Sequence, residues 1–209
     1  MITLTDRATV SRYPEASGYP RRGEPRIVTV SPRRCLAVEG TGEPGGQVFQ
    51  EAMGALYGAA YTLHFMLRER GLEAHVSPVE GLWTRVAGEQ DWAEGPVAFD
   101  PTAWCWTLLI PLAEGATDAE IEAALASVAR RQGPGAVQHL EVRTIDEGIV
   151  VEAMHVGPYA TEPATIAAMH GLAAQHGLVP HGAHHEIYLG DPRRSKPENL
   201  RTVLRQPVG

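Results

Sequence analysis

A chain of 209 residues can bury a substantial core, either as one large domain or as two small halves. Its formal net charge of −7 excludes a general nucleic-acid binder, which needs clustered excess lysine and arginine to displace counterions. Two cysteines, Cys35 and Cys105, without CxxC or Cys/His spacing, point to reduced thiols rather than a zinc site or a disulfide framework. The N-terminal stretch has no apolar signal-peptide centre. The longest apolar run, 55–67, carries His64 and tyrosines and is too short to span a bilayer. A cytoplasmic protein without a membrane or nucleic-acid partner is expected; the oligomeric state is not legible.

Residues 1–25, rich in Arg, Pro and Gly, read as a loosely structured lead-in. Residues 26–30 alternate weakly as a short strand cut by Pro32, and 35–39 read as a second, followed by a glycine-rich loop at 40–46. Over 48–70, Phe49, Met53, Leu56, Tyr57, Ala60, Leu63 and Leu67 recur at spacings of three and four. That is a helix with one buried face, stopped by Gly71. Segments 76–85 and 98–111 read as a β-hairpin about a polar loop that holds Gly88, Trp92, Gly95 and Pro96. Thr117 and Glu120, three apart, form a capping box that opens a helix over 118–131, ended by Gly133-Pro134-Gly135. Segments 140–144 and 149–156 read as a hairpin around Asp146-Glu147-Gly148. A helix over 162–177, a strand over 184–189 and a last strand over 200–206 complete the chain.

The chain repeats itself. Gly71-Leu72 leads, nine residues on from the glycine, to Glu80, and Gly177-Leu178 leads over the same interval to Glu186. Each half reads strand, helix, strand, strand, with pseudo-repeats at about 26–115 and 136–209 inside one domain, 26–209, and helix 118–131 between them. An α+β fold is expected, with helices on one side of antiparallel sheets. A pseudo-twofold would leave a central ligand cleft with one carboxylate from each half.

Glu186 leads the candidate site residues. On a strand it shares a face with Tyr188, between apolar Ile187 and Leu189. Spacing alone weighs equally a pocket acid and a salt bridge to Arg193, Arg194 or Arg205. Glu80 is its repeat mate, or a hairpin glutamate whose face is blurred if Gly81 bulges the strand. Trp83, Trp104 and Trp106 fall on one predicted hairpin, where indoles are core or wall a ligand site; the intervening threonines and Cys105 suit a wall. Tyr61 pairs with Tyr57 on one helix, while Tyr159 follows Gly157-Pro158 at a turn, where packing explains it less well. His155 is either a cleft partner or a satisfied structural imidazole. His181, His184 and His185 lack metal-ligand spacing, so no metal and no cofactor is expected. The glycines at 40–46 lack a phosphate-loop ending, and there is no G-x-S-x-G elbow.

Ordered motifs resemble the GyrI-like family of small-molecule-binding domains, and most closely its free-standing branch. They are Pro32-Arg33-Arg34 with Val38-Glu39-Gly40-Thr41-Gly42-Glu43-Pro44, then Ala55-Leu56-Tyr57-Gly58-Ala59-Ala60-Tyr61-Thr62, then Pro78-Val79-Glu80-Gly81-Leu82-Trp83. His155-Val156-Gly157-Pro158-Tyr159, Glu162-Pro163 and His184-His185-Glu186-Ile187-Tyr188-Leu189-Gly190-Asp191-Pro192-Arg193-Arg194 continue the series over about 25–209. The resemblance implies paired strand–helix–strand–strand modules around a cleft, with Glu186 as a pocket acid. It also implies one of two functions. In the first, a hydrolase adds water to cyclopropanoid or other planar electrophiles, with Glu186 as base and Tyr159 or Tyr188 as donor. There Tyr61, Glu80, Trp83, Trp104, Trp106 and His155 contact the ligand. In the second, a non-catalytic binder holds lipophilic cations, like the effector domain of multidrug-sensing regulators. The chain departs from many relatives at Thr84, where they carry tryptophan.

Overall fold

The computed structural model describes residues 13–21, 23–85 and 104–209. The polar loop with Trp92 and the first part of the strand expected over 98–111 lie outside the described residues. The elements run β1 (Arg26–Val30), β2 (Arg33–Thr41), α1 (Gln47–Glu69), β3 (Glu80–Arg85), β4 (Trp104–Pro111), α2 (Asp118–Gln132), β5 (Leu140–Ile145), β6 (Gly148–Val156), α3 (Glu162–Gln175), β7 (His184–Tyr188) and β8 (Arg201–Pro207). Thr117 and Glu120 cap α2 reciprocally, as their spacing predicts. Gly71 and Gly177 take positive φ just past α1 and α3, and the amide of the following leucine reaches back five residues to close each helix end. Among the described residues no helix is long and apolar enough to cross a membrane.

The class is α+β, as expected: among the described residues, eight antiparallel strands make a curled half-barrel, with three α-helices. There is one sheet, ordered β1-β6-β8-β7-β3-β4-β2-β5. The hairpin expected between 140–144 and 149–156 does not form; β5 pairs with β2 and β6 with β1. The reason lies in the register. From Arg26↔Glu152 to Val30↔Gly148, and again from Arg33↔Ile145 to Val38↔Leu140, the partners stay in step. Each connection, 31–32 and 146–147, is therefore a crossing between two long strands rather than a turn. Residues of the lead-in are laid along β1: the Ala16 amide donates to the Thr29 carbonyl at 2.8 Å and Thr29 returns a bond to Pro14.

Strand alternation sorts the side chains onto two faces. One packs on the helices. Leu36, Val38, Trp83, Trp106, Leu108 and Ile110 meet α1 and α2, while Ile27, Val151, Ala153 and Leu204 meet Met169 and Ala173 of α3. The opposite face buries a chain of alternating charges where the halves cross. Arg26 and Arg205 both bond Glu152, Arg205 Nη1 lies 3.8 Å from Glu147, and Glu147 accepts from His185 Nδ1 at 2.8 Å. His185 Nε2 donates to Glu80 at 3.0 Å, and Arg33 grips the same carboxylate with two bonds of 2.7 and 2.6 Å.

Both ring nitrogens of His185 thus face carboxylate oxygens, and the ring is fully buried. Burial opposes its charge, but Glu147 and Glu80 outweigh that and raise its pKa. Burial likewise opposes ionisation of Glu80 and Glu147, and His185 and the arginines overcome it. His185 therefore stabilises the fold below its ordinary value of 6.5 and less as pH rises past its folded value. The two carboxylates contribute above 4.5 and lose their contribution in acid. Replacing His185 by leucine leaves two buried carboxylates short of a partner, so His185→Leu is expected to cost about 3–5 kcal/mol in denaturant unfolding at neutral pH. A loss under about 1 kcal/mol would show that the chain is not holding the halves together.

Candidate active site

The helix-covered face of β7 carries Glu186 and Tyr188, and the neighbouring β3 sets Gly81 opposite Glu186. The Glu186 side chain is 16% exposed. Trp83 Nε1 donates to Tyr188 Oη at 3.0 Å, which leaves the phenol's own proton for its hydrogen bond with Glu186. A Cβ on Gly81 would come 2.8 Å from Trp83 Nε1 and 3.1 Å from Tyr188 Oη. Gly81 is thus the space in which that bond forms. It does not bulge the strand, since β3 and β7 pair without interruption from Glu80 to Trp83.

A second carboxyl comes from the first turn of α3. Glu162 is buried and bonds Thr202, while its Oε1 has no hydrogen-bond partner. Burial raises the pKa of both acids, and the Glu186 charge raises Glu162 further. Thr202 counteracts this at Glu162, as Tyr188 and the His185 charge do at Glu186. Two like charges in such a place do not both form readily, so the pair keeps a proton that isolated glutamates would have lost. His184 Nε2 stands 3.7 Å from Glu186. Burial and the His185 charge push the pKa of His184 down to about 4, so the imidazole is neutral and makes no ion pair with the acid.

The aromatic side chains are only partly assembled here. Trp83 is stacked by Phe49 of α1 at 6.2 Å and met edge-on by half-buried Trp104 at 6.2 Å. Trp106 is 2% exposed and lies flat on Gly40, where a Cβ would come 2.2 Å from the ring, so it forms core behind the site. Tyr159 meets Tyr188 edge-on at 6.0 Å and is 40% exposed; burial raises its pKa to about 12. Tyr61 stacks on Tyr57 along α1 and is half-exposed. His155 is engaged by Thr165, Thr161 and the Pro158 carbonyl, and so braces the turn that presents Tyr159 and Glu162.

Glu80 requires a correction. It pairs with Ile187, one position from Glu186, so the two repeat mates project to opposite faces and cannot share a cleft. The register between β3 and β7, which sets Glu80 opposite Ile187 and Gly81 opposite Glu186, is what puts the two glutamates on different faces. Thr84 falls on the side of Glu80 and is exposed, so it does not line the Glu186 site. The salt bridge weighed for Glu186 is made elsewhere: Arg205 serves Glu152, and Arg193 serves Asp191. Glu162 escaped the sequence reading because an acid in a helix's first turn is ordinary. Phe49 escaped it as one more helix-packing residue. Two hollows lie away from the site: one of about 10 Å³ under α1, and an open groove of about 240 Å³ at Glu39, His139 and Arg143.

The helix face of the α+β half-barrel thus holds two acids together with Trp83 and Tyr188. The chain belongs to the GyrI-like small-molecule-binding domain family, whose model matches residues 23–208. A conserved, uncharacterised protein from Listeria innocua has a similar structure, with 35% identity, 91% of this chain and 94% of that chain covered, and a TM-score of 0.79. A Listeria innocua protein described as a hydrolase follows, with 32% identity, 91% and 93% covered and a TM-score of 0.74. The C-terminal domain of EcmrR, at 7% identity, 89% and 97% covered and a TM-score of 0.54, shares the fold alone. No curated protein matches the chain significantly.

Acids whose pKa is raised in the fold bind protons that the unfolded chain has released, so they destabilise the protein as pH rises above the ordinary value of 4.5. Glu162→Gln is therefore expected to raise the unfolding midpoint at pH 8 and to leave it nearly unchanged at pH 4. Each tenfold gain in proton affinity on folding corresponds to about 1.4 kcal/mol. A variant equally destabilised at both pH values would contradict the placement of Glu162.

Proposed function

We propose that the protein adds water to planar electrophilic small molecules of the cyclopropanoid kind, opening a strained ring conjugated to a carbonyl. The observation that carries this reading is the Glu186 carboxyl, 16% exposed and bonded to Tyr188, with the buried Glu162 carboxyl near enough for the Glu186 charge to raise it. Glu186 acts as general base toward water. Tyr188, its hydroxyl bonded by Trp83 and its proton turned to Glu186, holds that base in place. Tyr159, 40% exposed and edge-on to Tyr188, offers its hydroxyl to the substrate carbonyl. Trp83 and half-buried Trp104 give the flat ring system an apolar wall. The two Listeria innocua structures described as hydrolases, each 32% identical, support a hydrolytic reading.

A second reading keeps the site non-catalytic and lets Glu186 hold a lipophilic cation, with Trp83 adding a cation–π contact of about 0.5–2 kcal/mol. An ionised acid beside an indole favours it. Yet a site that works by charge alone needs only one ionised acid. A second buried carboxyl that resists ionisation costs desolvation and adds little charge, but it does supply a proton donor.

The test is to incubate the protein with a planar cyclopropane–dienone and follow the mass of one added water. A positioned base is worth about 10²–10⁴-fold, so Glu186→Gln is expected to lose that much turnover while still binding the opened product. Full turnover in that variant would remove Glu186 from the reaction. Tight binding of planar cations, with no water adduct from the unaltered protein, would favour the second reading.

A further inference from the structure

The proposed reaction needs a proton as well as a base, and the tyrosines are poorly placed to give one. Tyr188 spends its hydrogen on Glu186 and accepts from Trp83. Tyr159 is a hydrogen-bond donor whose acidity burial has weakened, with a pKa of about 12. His184 is neutral, and His155 is committed to Thr165, Thr161 and Pro158. Among the described residues, two buried side chains on this face keep an oxygen unclaimed, Glu162 and Gln206, and of these only Glu162 is an acid. Glu162 stands on the first turn of α3, is 6% exposed, and has Oε1 without a partner while its carboxyl bonds Thr202 of β8. Thr202 lies opposite Tyr188 in the β7–β8 ladder, so the two acids flank one patch of sheet.

We infer that Glu162 is a further catalytic residue, the proton donor that works opposite the Glu186 base. The inference rests on the hydration proposed above. Glu186 takes a proton from water as the water oxygen bonds to the ring carbon. The strained C–C bond breaks, and its electron pair moves through the conjugated system to the carbonyl oxygen. Glu162 delivers its proton there, giving the neutral enol or phenol. Water has then been added, Glu186 is protonated and Glu162 ionised, and one proton passed between them through solvent restores the starting state. The burial that keeps Glu162 protonated, reinforced by the Glu186 charge, is the condition for this division of labour.

The experiment compares hydration of the same cyclopropane–dienone by the unaltered protein, Glu162→Gln and Glu162→Asp across pH, with unfolding midpoints measured for each. The unaltered protein is expected to show a bell-shaped profile, falling in acid as Glu186 is protonated and in alkali as Glu162 is ionised. Glu162→Gln is expected to fold, to lose about 10²-fold or more in kcat with KM changed little, and to lose the alkaline limb. Glu162→Asp, which keeps a transferable proton, should recover part of the rate. Turnover in Glu162→Gln within about twofold of the unaltered protein, or an alkaline limb that persists in it, overturns the role of Glu162 while leaving that of Glu186 intact. No water adduct from the unaltered protein overturns both.

Discussion

A histidine gripped between two glutamates is the interaction on which the rest of the molecule depends. His185 sits where the strand pair 26–41 and 140–156 crosses, and both its ring nitrogens are claimed by carboxylates from different parts of the chain. Glu80 comes from the first half, Glu147 from the crossing itself, and arginines from both halves close the ends of the chain of charges. Such an arrangement is costly to desolvate and more costly to break. Breaking one member leaves its buried partners uncompensated, which is where such a chain of charges has its largest effect on stability.

That register decides what the other side of the sheet can do. Because His185 must face the ion chain, the next residue must face the helices, and Glu186 is thereby pressed into an apolar layer with no arginine beside it. The same alternation turns Tyr188 alongside it and sets Gly81 across from it, where the missing side chain leaves room for the Trp83–Tyr188 bond. The site is thus the reverse side of the structural centre. Its acids are raised in pKa by burial first, and at Glu162 by the Glu186 charge as well, while Arg26, Arg33 and Arg205 pair with Glu152 and Glu80 on the opposite face. The His185 charge, acting through the strand, lowers the Glu186 pKa against this burial.

Much of the fold was legible in the sequence. The three long helices, their glycine stops and the capping box at Thr117 follow from local periodicity and propensity. What was not legible is non-local. The 146–147 connection carries the residues of a tight turn, yet it is a crossing, because the partner that fixes it is more than a hundred residues away. In the site, Glu186, Tyr188 and Trp83 could be gathered from strand alternation and motif. Glu80 could not be placed, since its face follows from the non-local β3–β7 register, which pairs it with Ile187. Glu162 was in view as a helix-start acid, but its burial depends on α3 lying over β8. Trp106 was legible as sharing a face with Trp104; that Gly40 lets the ring close onto the backbone was not.

Glu162 and Glu186 together hold a proton well above the ordinary carboxylate range, each responding to the charge of the other. The most direct measurement is a carbon-13 NMR titration of the glutamate side-chain carboxyls, with both resonances assigned. Two displaced, mutually dependent titrations are predicted, with the Glu186 curve shifting when Glu162 is made glutamine. Simple independent titration of both groups near 4.5 would contradict the account, since neither acid would then be held in the environment that the fold implies.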